Sequence, residues 1–238
     1  MTNYLMYIFL FLSVIISGTS VLYINISSKN LKLILSFSGA FLFAISVLHL
    51  IPEIYQSNTK NVGIFILIGF FAQILLEFFT EGIEHGHIHI HKHDHQHNAF
   101  PYAMMIGLSI HSFLEGMPLA NAGESHNSLL TGIIMHNIPI AIALMTMLLG
   151  SHISKGQAIF WLFVFALVTP LGTFTSYAIG ANMLFNLAQY TDTIMAVVVG
   201  IFLHISTTIL FESSENHRFN LIKFIVIILG AVFAIVTV

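Results

Sequence analysis

Cysteine is absent from this chain of 238 residues, and charged residues make up only 7% of it. Without cysteine the chain can form neither a disulfide framework nor a thiolate metal site, so any bound metal must be held by nitrogen and oxygen ligands. A typical soluble domain has about 25% charged residues. Here 57% of the residues are hydrophobic and the mean hydropathy is +0.91. This composition indicates an integral membrane protein and excludes an ordinary soluble domain.

Long apolar runs alternate with short polar breaks along the whole chain. A membrane-spanning helix needs about 20 apolar residues, and eight runs have about this length. They cover residues 4–24, 31–52, 62–79, 101–122, 128–150, 157–180, 193–211 and 220–238. The runs lack the alternation of period two that a membrane β-barrel requires. We therefore predict an all-α membrane protein with eight transmembrane helices, in which residues 1–238 form a single domain.

The few basic residues predict the orientation, because cytoplasmic loops of membrane proteins are enriched in Lys and Arg. Only Lys60 lies in an even-numbered loop. The other six basic residues lie in or beside the odd-numbered loops: Lys29, Lys32, Lys92, Lys155, Arg218 and Lys223. We therefore expect the odd loops in the cytoplasm and both termini outside it. The start of the chain lacks a basic region and a cleavage site, so we expect a retained first span. The absence of a eukaryotic targeting signal and the compact chain predict a bacterial inner membrane.

The third loop, at about residues 85–98, is rich in histidine. Its seven histidines stand at alternate positions: His85, His87, His89, His91, His93, His95 and His97. The alternation gives no single helical face and no apolar side to pack. This pattern predicts a flexible cytoplasmic tether that binds metal weakly, since neutral imidazoles ligate zinc and similar metals. A low-complexity spacer with incidental affinity is the alternative.

The most informative stretch is His111-Ser-Phe-Leu-Glu115 in the fourth segment, which is followed by His136-Asn in the fifth. Residues four apart lie on the same face of a helix, so His111 and Glu115 are expected side by side. Placing a charged residue at the centre of a bilayer costs about 2.5–3.5 kcal/mol on the scale from membrane-insertion experiments, which gives the lowest estimates. Such residues therefore usually face a pathway or an ion. The stretch therefore predicts a divalent-metal site inside the membrane.

The donor set of this site consists of two imidazole nitrogens, from His111 and His136, and one carboxylate, from Glu115. Such a set suits zinc and also tolerates iron, cobalt, nickel and manganese. Ser112 and Asn137 can supply further oxygen ligands or hold a water ligand. The alternative is that the histidines are hydrogen-bonded packing residues.

Four further polar residues in or beside the spans are candidate pathway residues. Glu77 is the first of three carboxylates on one stripe of the third segment. His49 and Glu53 lie at the end of the second segment. They line the entrance of the pathway or, as an equal alternative, form an ordinary helix end at the membrane interface. We expect His204 to be hydrogen-bonded to a neighbouring hydroxyl, with a transient role as a metal ligand as the alternative.

At these residues the chain resembles the ZIP family of divalent-metal transporters. The shared motifs, beside eight spans and a His-rich third loop, are Gly39-Ala-Phe-Leu, His49-Leu-Ile-Pro-Glu53, His111-Ser-Phe-Leu-Glu115-Gly, His136-Asn-Ile-Pro139 and Thr169-Pro-Leu-Gly172. The resemblance implies uptake of zinc or a related metal into the cytoplasm, with the metal centre on the fourth and fifth helices. It also implies a 3+2+3 helix arrangement, a homodimer, and an elevator-like movement of helices one, four, five and six.

Two features depart from the family pattern. Ile140 stands where many relatives have Glu or His after the proline of the fifth helix, and residues 160–180 of the sixth segment contain no carboxylate. We therefore expect one main metal site. Zn²⁺ is the expected substrate, with Fe²⁺, Mn²⁺, Co²⁺ and Ni²⁺ as alternatives. The expected partners are the metal ion, the lipid bilayer and a second copy of the chain, and no nucleic acid.

Two other classes of function remain as alternatives. An intramembrane metallohydrolase would also use His and Glu, but the chain has no His-Glu-x-x-His pair, so we predict that it is not an enzyme. It also has no phosphate-binding loop, so movement of an ion would follow a gradient or be coupled to another ion. A membrane protein that stores or senses metal through the histidine loop is the other alternative.

Overall fold

The computed structural model describes residues 3–57, 59–80, 102–120, 126–151, 153–181, 190–212 and 220–237. Ten α-helices and no strands occur in these ranges: α1 (Asn3–Ser20), α2 (Ser28–Ile45), α3 (Ile51–Gln56), α4 (Val62–Thr80), α5 (Tyr102–Gly116), α6 (His126–Gly150), α7 (Lys155–Ala166), α8 (Val168–Ala181), α9 (Thr191–Glu212) and α10 (Leu221–Thr237). A π-helical turn (Ser46–Leu50) joins α2 to α3, and a 3₁₀ turn (Met117–Ala120) follows α5.

Each of the eight predicted segments contains helix, although residues 21–24 at the end of the first segment form a turn. The second to seventh are long and apolar enough to cross a membrane. The first and the eighth are apolar but shorter, at Tyr4–Ser20 and Leu221–Thr237. The described part of the chain therefore holds six helices that meet the length of about 20 residues needed to cross, and two that fall somewhat short of it. The prediction of an all-helical membrane protein is confirmed at this level.

The second segment differs from its predicted end at Pro52. One continuous helix runs over Ser28–Gln56, because the π turn carries it past the proline. The backbone N–H of Ile51 bonds to the carbonyl of Ser46, five residues back. A proline lacks an N–H and crowds the carbonyl four residues back. The π turn lies directly before Pro52, where the regular bonding pattern is interrupted.

The sixth segment is divided at Leu167 into α7 and α8. A capping box at Ser154 and Gln157 starts α7. Pro170 lies in the first turn of α8, where its missing N–H has no helical partner to lose. The apolar stretch Lys155–Ile179 is therefore long enough to cross a membrane as one span, but it consists of two successive helices that meet at Leu167.

The helices pack in two groups. In the first, here called the site group, α1 packs against α6, α7 and α8, and α5 packs against α8. In the second, here called the support group, α2 packs against α9 and α10, and α4 packs against α9. The two groups meet where α2 contacts α6 and where α4 contacts α5.

Burial separates a central helix from a peripheral one. In the most apolar stretch of α6, 67% of the residues are buried inside the protein. In the most apolar stretch of α4, only 17% are buried. Most side chains on α6 therefore face other helices, while most of those on α4 face outward. Polar residues in the middle of α6 consequently lie in the interior of the molecule.

Candidate metal centre

His111, Glu115 and His136 come together between α5 and α6. All three side chains have no exposed surface. Each contributes one potential ligand atom, and these atoms lie within 4.8 Å of one another. Nε2 of His111 is 3.0 Å from Oε1 of Glu115. The rings of His111 and His136 are perpendicular, with centroids 5.9 Å apart.

Helix geometry explains this convergence. The four-residue spacing in α5 places His111 and Glu115 one turn apart on the same face. His136 lies near the middle of α6, which stays helical through Pro139. The carboxylate and both imidazoles are therefore presented by regular helix backbone, and such backbone holds ligands more rigidly than loops do.

Ser112 and Asn137 follow the two histidines and are also fully buried. Within the described part of the chain, neither the hydroxyl of Ser112 nor the side-chain amide of Asn137 has a hydrogen-bond partner. Buried polar groups are nearly always satisfied in proteins. These two side chains are thus available to a metal ion or to a water molecule bound to it.

The distances between the three potential ligand atoms suit a metal ion after a small movement of the side chains. Zinc bonds of about 2.0–2.1 Å in a tetrahedral site place neighbouring ligand atoms about 3.4 Å apart. Ligand atoms within 4.8 Å of one another must therefore approach by at most about 1.4 Å. Three protein ligands leave a fourth position for water or another side chain.

The cluster contains a single carboxylate, that of Glu115. Ile140, one helical turn after His136, is fully buried and offers no ligand atom. The described residues of α7 and α8 contain no Asp or Glu. Glu115 is therefore the one acidic residue that the cluster offers to a cation.

Glu77 and His204 form a second polar contact, between α4 and α9 of the support group. Nε2 of His204 lies 2.6 Å from Oε2 of Glu77, and the two side chains are 9% and 25% exposed. The sequence favoured a hydroxyl as the partner of His204. The nearby hydroxyls of Thr207 and Thr208 instead donate to the backbone carbonyl of His204. Neither Glu77 nor His204 belongs to the metal-ligand cluster.

His49 lies in the π turn and is partly buried, as is Glu53 one turn later. The structure does not bring this pair into the cluster of His111, Glu115 and His136. The seven histidines of the third loop, at positions 85 to 97, lie outside the described residues. The metal-binding role predicted for that loop stays a prediction.

Comparison with known proteins agrees with the motifs. The family model described as ZIP Zinc transporter matches residues 82–237, which is more than half of the chain. The match includes α5 and α6 with all three residues of the cluster. A comparison with curated protein sequences gives no match. The resemblance predicted from the sequence is confirmed, and the chain belongs to the ZIP family of zinc transporters.

Proposed function

We propose that the protein carries a divalent metal ion, with zinc as the expected substrate, into the cytoplasm through the cluster of His111, Glu115 and His136. The observation that carries this proposal is the meeting of three fully buried ligand residues from two apolar helices. An ionisable group is costly at that depth unless it serves an ion or a pathway. Membership of a family of metal transporters supports transport rather than catalysis.

The proposed centre binds one ion at a time. His111, Glu115 and His136 are the main ligands, and Ser112 and Asn137 complete the coordination directly or through water. The single carboxylate and the aliphatic Ile140 support a site for one metal. The donor set accepts Fe²⁺, Mn²⁺, Co²⁺ and Ni²⁺ as well as Zn²⁺, so these ions are alternative substrates.

The proposed cycle is of the elevator type, in which the site group moves against the support group. The nature of the contacts supports this division. A Cβ added at Gly132 of α6 would lie 2.7 Å from Cδ1 of Ile45 and 3.3 Å from Cδ1 of Leu42, so the contact between the groups involves side chains of α2. A Cβ added at Gly69 or Gly200 would instead meet backbone atoms across the contact of α4 with α9. Small residues let helices approach closely in membrane bundles, and the close contact of α4 with α9 supports treating these two helices as one unit.

The proposed pathway uses the polar residues outside the cluster. Glu77 and His204 would receive the ion on its way to the cytoplasm, His49 would line the entrance, and the histidine loop would hold ions after release. The incomplete burial of Glu77, at 25% exposure, supports access to an ion. The proposed orientation has both termini outside the cytoplasm, in the inner membrane of a bacterial cell. It rests on the distribution of Lys and Arg.

The proposed assembly is a homodimer of chains that each form a single membrane domain with a 3+2+3 helix arrangement. The outward-facing apolar surface of α4 supports contact with lipid or with a second copy.

Metal uptake into proteoliposomes tests the transport function. Zn²⁺, Fe²⁺, Mn²⁺ and Co²⁺ are supplied to vesicles that contain the parent protein, His111→Ala or Glu115→Ala, with and without a pH gradient. His126→Ala is the matched control, because it removes a histidine at the start of α6, far along the helix from His136. We expect uptake by the parent and the control and at least a tenfold loss in the two site variants.

Three results would contradict the proposal. Folded site variants that accumulate all four metals as the parent does would remove the cluster from the mechanism. Metal binding without flux would favour storage or sensing. Cleavage of a membrane peptide by the parent would favour the metallohydrolase.

A further inference from the structure

A hydroxyl of the sixth segment reaches the backbone of the metal-bearing helix. Oγ1 of Thr173, in α8, donates to the carbonyl of Gly116 at 2.8 Å. Gly116 is the last residue of α5 and directly follows Glu115. Thr173 is fully buried, and its contact with the carbonyl of Thr169 in its own helix is longer, at 3.3 Å. The shorter bond therefore ties α8 to the residue next to the carboxylate.

The end of α5 is a place where such a bond matters. The last carbonyls of a helix lack partners within the helix, and Pro118 can donate no N–H to the residues before it. The chain tightens here into the 3₁₀ turn Met117–Ala120. The position of Glu115, one residue before the end of α5, thus depends on contacts from outside its own helix.

Two glycines bring α8 close on both sides of Glu115. A Cβ at Gly172 would meet the backbone carbonyl of Phe113, and a Cβ at Gly116 would meet the backbone carbonyl of Thr169. The absence of both side chains lets the two backbones approach, as is common for small residues in membrane bundles. α8 therefore contacts the backbone two residues before Glu115 and one residue after it.

We propose that Thr173, supported by Gly172, is a positioning residue of the metal centre. It holds the turn that carries Glu115 so that the carboxylate faces His136. The inference rests on the proposed function, and it gives the sixth segment a part in metal binding although that segment supplies no carboxylate. A displacement of about 1 Å is enough to weaken a designed or natural site. Loss of the bond therefore changes the geometry of the bound metal as well as the stability of the fold.

Substitutions at Thr173 test this role in the full-length protein purified in detergent. Thr173→Val keeps the shape and removes the hydroxyl, whereas Thr173→Ser keeps the hydroxyl. Thr146→Val is the matched control, because Oγ1 of Thr146 donates at 2.8 Å to the carbonyl of Ile142 in its own helix. The probe is Co²⁺, whose visible absorption reports ligand geometry, together with the KM and the maximal rate of Co²⁺ uptake in vesicles.

We expect Thr173→Val to bind Co²⁺ about five- to tenfold more weakly than the parent, in line with the loss of one buried hydrogen bond. The absorption bands of Co²⁺ bound to this variant shift. In vesicles, the KM of the variant rises by a larger factor than its maximal rate falls. Thr173→Ser and Thr146→Val keep the bands of the parent and an affinity within about twofold of it. Thermal unfolding is recorded for every variant to separate geometry from stability.

A Thr173→Val protein with the bands, affinity and KM of the parent would overturn the inference, whatever its stability. If that variant does not fold, Thr173→Ala takes its place. If neither folds while Thr173→Ser does, the hydroxyl is required for the fold as a whole and the positioning role is rejected. Failure of the proposed function gives a different result. In that case the parent binds no Co²⁺, or Glu115→Gln binds Co²⁺ as well as the parent does.

Discussion

Ser112, a proposed secondary ligand, illustrates how a residue of the candidate metal centre can oppose stability. Its hydroxyl is fully buried and has no hydrogen-bond partner among the described residues. Removing a buried polar group that lacks a partner is neutral or stabilising, by about 1 kcal/mol. We therefore predict that Ser112→Ala unfolds at the same temperature as the parent or higher in the absence of metal, while its affinity for zinc falls several-fold.

Ser46→Ala is the matched control for this prediction. The hydroxyl of Ser46 is equally buried and donates to the carbonyl of Leu42 at 2.8 Å. Its removal should lower stability by about 0.5–1.5 kcal/mol and leave zinc affinity unchanged. Thermal unfolding without metal and titration with zinc measure both quantities. A loss of stability in Ser112→Ala as large as that in Ser46→Ala would mean that the hydroxyl of Ser112 is bonded.

The contact of Glu77 with His204 allows two roles that can be separated. As a step of the pathway, it needs ionisable groups, while as a structural tie between α4 and α9 it needs only a hydrogen bond. The double variant Glu77→Gln/His204→Gln keeps polar side chains that can bond to each other. We predict that it retains the stability of the parent to within about 1 kcal/mol and loses most of its metal uptake.

Zinc titration completes this test, because the cluster around Glu115 is unchanged in the double variant and should bind metal as before. Thermal unfolding and vesicle uptake supply the other two measurements. Uptake at the rate of the parent would leave Glu77 and His204 with a structural role alone.

The residues of the cluster could be predicted from the sequence for a simple reason. His111, Glu115 and His136 stand out because they interrupt apolar runs, and helical spacing alone brings the first two together. The partner of His204 could not be predicted, since Glu77 lies 127 positions away. The same holds for Thr173 and Gly116, 57 positions apart. Only the packing of helices decides such pairs.

At the scale of helices, glycine determines how closely α4 and α9 approach. A Cβ at Gly200 would meet the backbone carbonyl of Ile66, which cannot move aside as a side chain can. We predict that Gly200→Ala separates the two helices and destabilises the protein by about 1–3 kcal/mol, as overpacking usually does. Thermal unfolding in detergent measures the effect.

Gly156→Ala is the matched control for the glycine substitution. A Cβ there, in the first turn of α7, has no neighbour closer than 4.0 Å. Alanine is favoured over glycine in a helix by about 1 kcal/mol, so this variant should be as stable as the parent or more stable. Equal stability of Gly200→Ala and Gly156→Ala would show that α4 and α9 can separate at little cost.

The positions of the helices followed from the apolar runs, but their interruptions did not. Pro52 and Pro170 both signal a break in the sequence. At Pro52 the helix continues through a π turn, whereas at Pro170 a new helix begins at Val168. These outcomes depend on which backbone groups each proline leaves unbonded and on which neighbouring helix lies there. A pattern of apolar residues contains no such information.

At the scale of the whole molecule, the elevator proposal requires the site group to move relative to the support group. α5 and α6, which carry the three candidate ligands, belong to the site group, while α2, α4, α9 and α10 form the support group. Relative movement requires that the contact between α6 and α2 changes during transport. Contacts inside one group should persist through the cycle.

Cross-linking tests this movement, and the natural absence of cysteine leaves only the introduced thiols to react. The pair Gly132→Cys and Ile45→Cys joins the groups, at a place where an added Cβ and the Ile45 side chain lie 2.7 Å apart. The pair Gly39→Cys and Ile209→Cys is the matched control, because it joins α2 to α9 within the support group at 3.0 Å.

We predict that a short bifunctional thiol reagent stops zinc uptake by the first pair, that cleaving the cross-link restores it, and that the second pair keeps most of its uptake. Zinc binding should survive in both, because neither pair includes a residue of the cluster. A fixed pathway through immobile helices predicts the opposite for the first pair, since tying α6 to α2 would then leave the route open. Full cross-linking between the groups with undiminished uptake would therefore replace the elevator with a channel-like mechanism, even though the metal centre is the same in both.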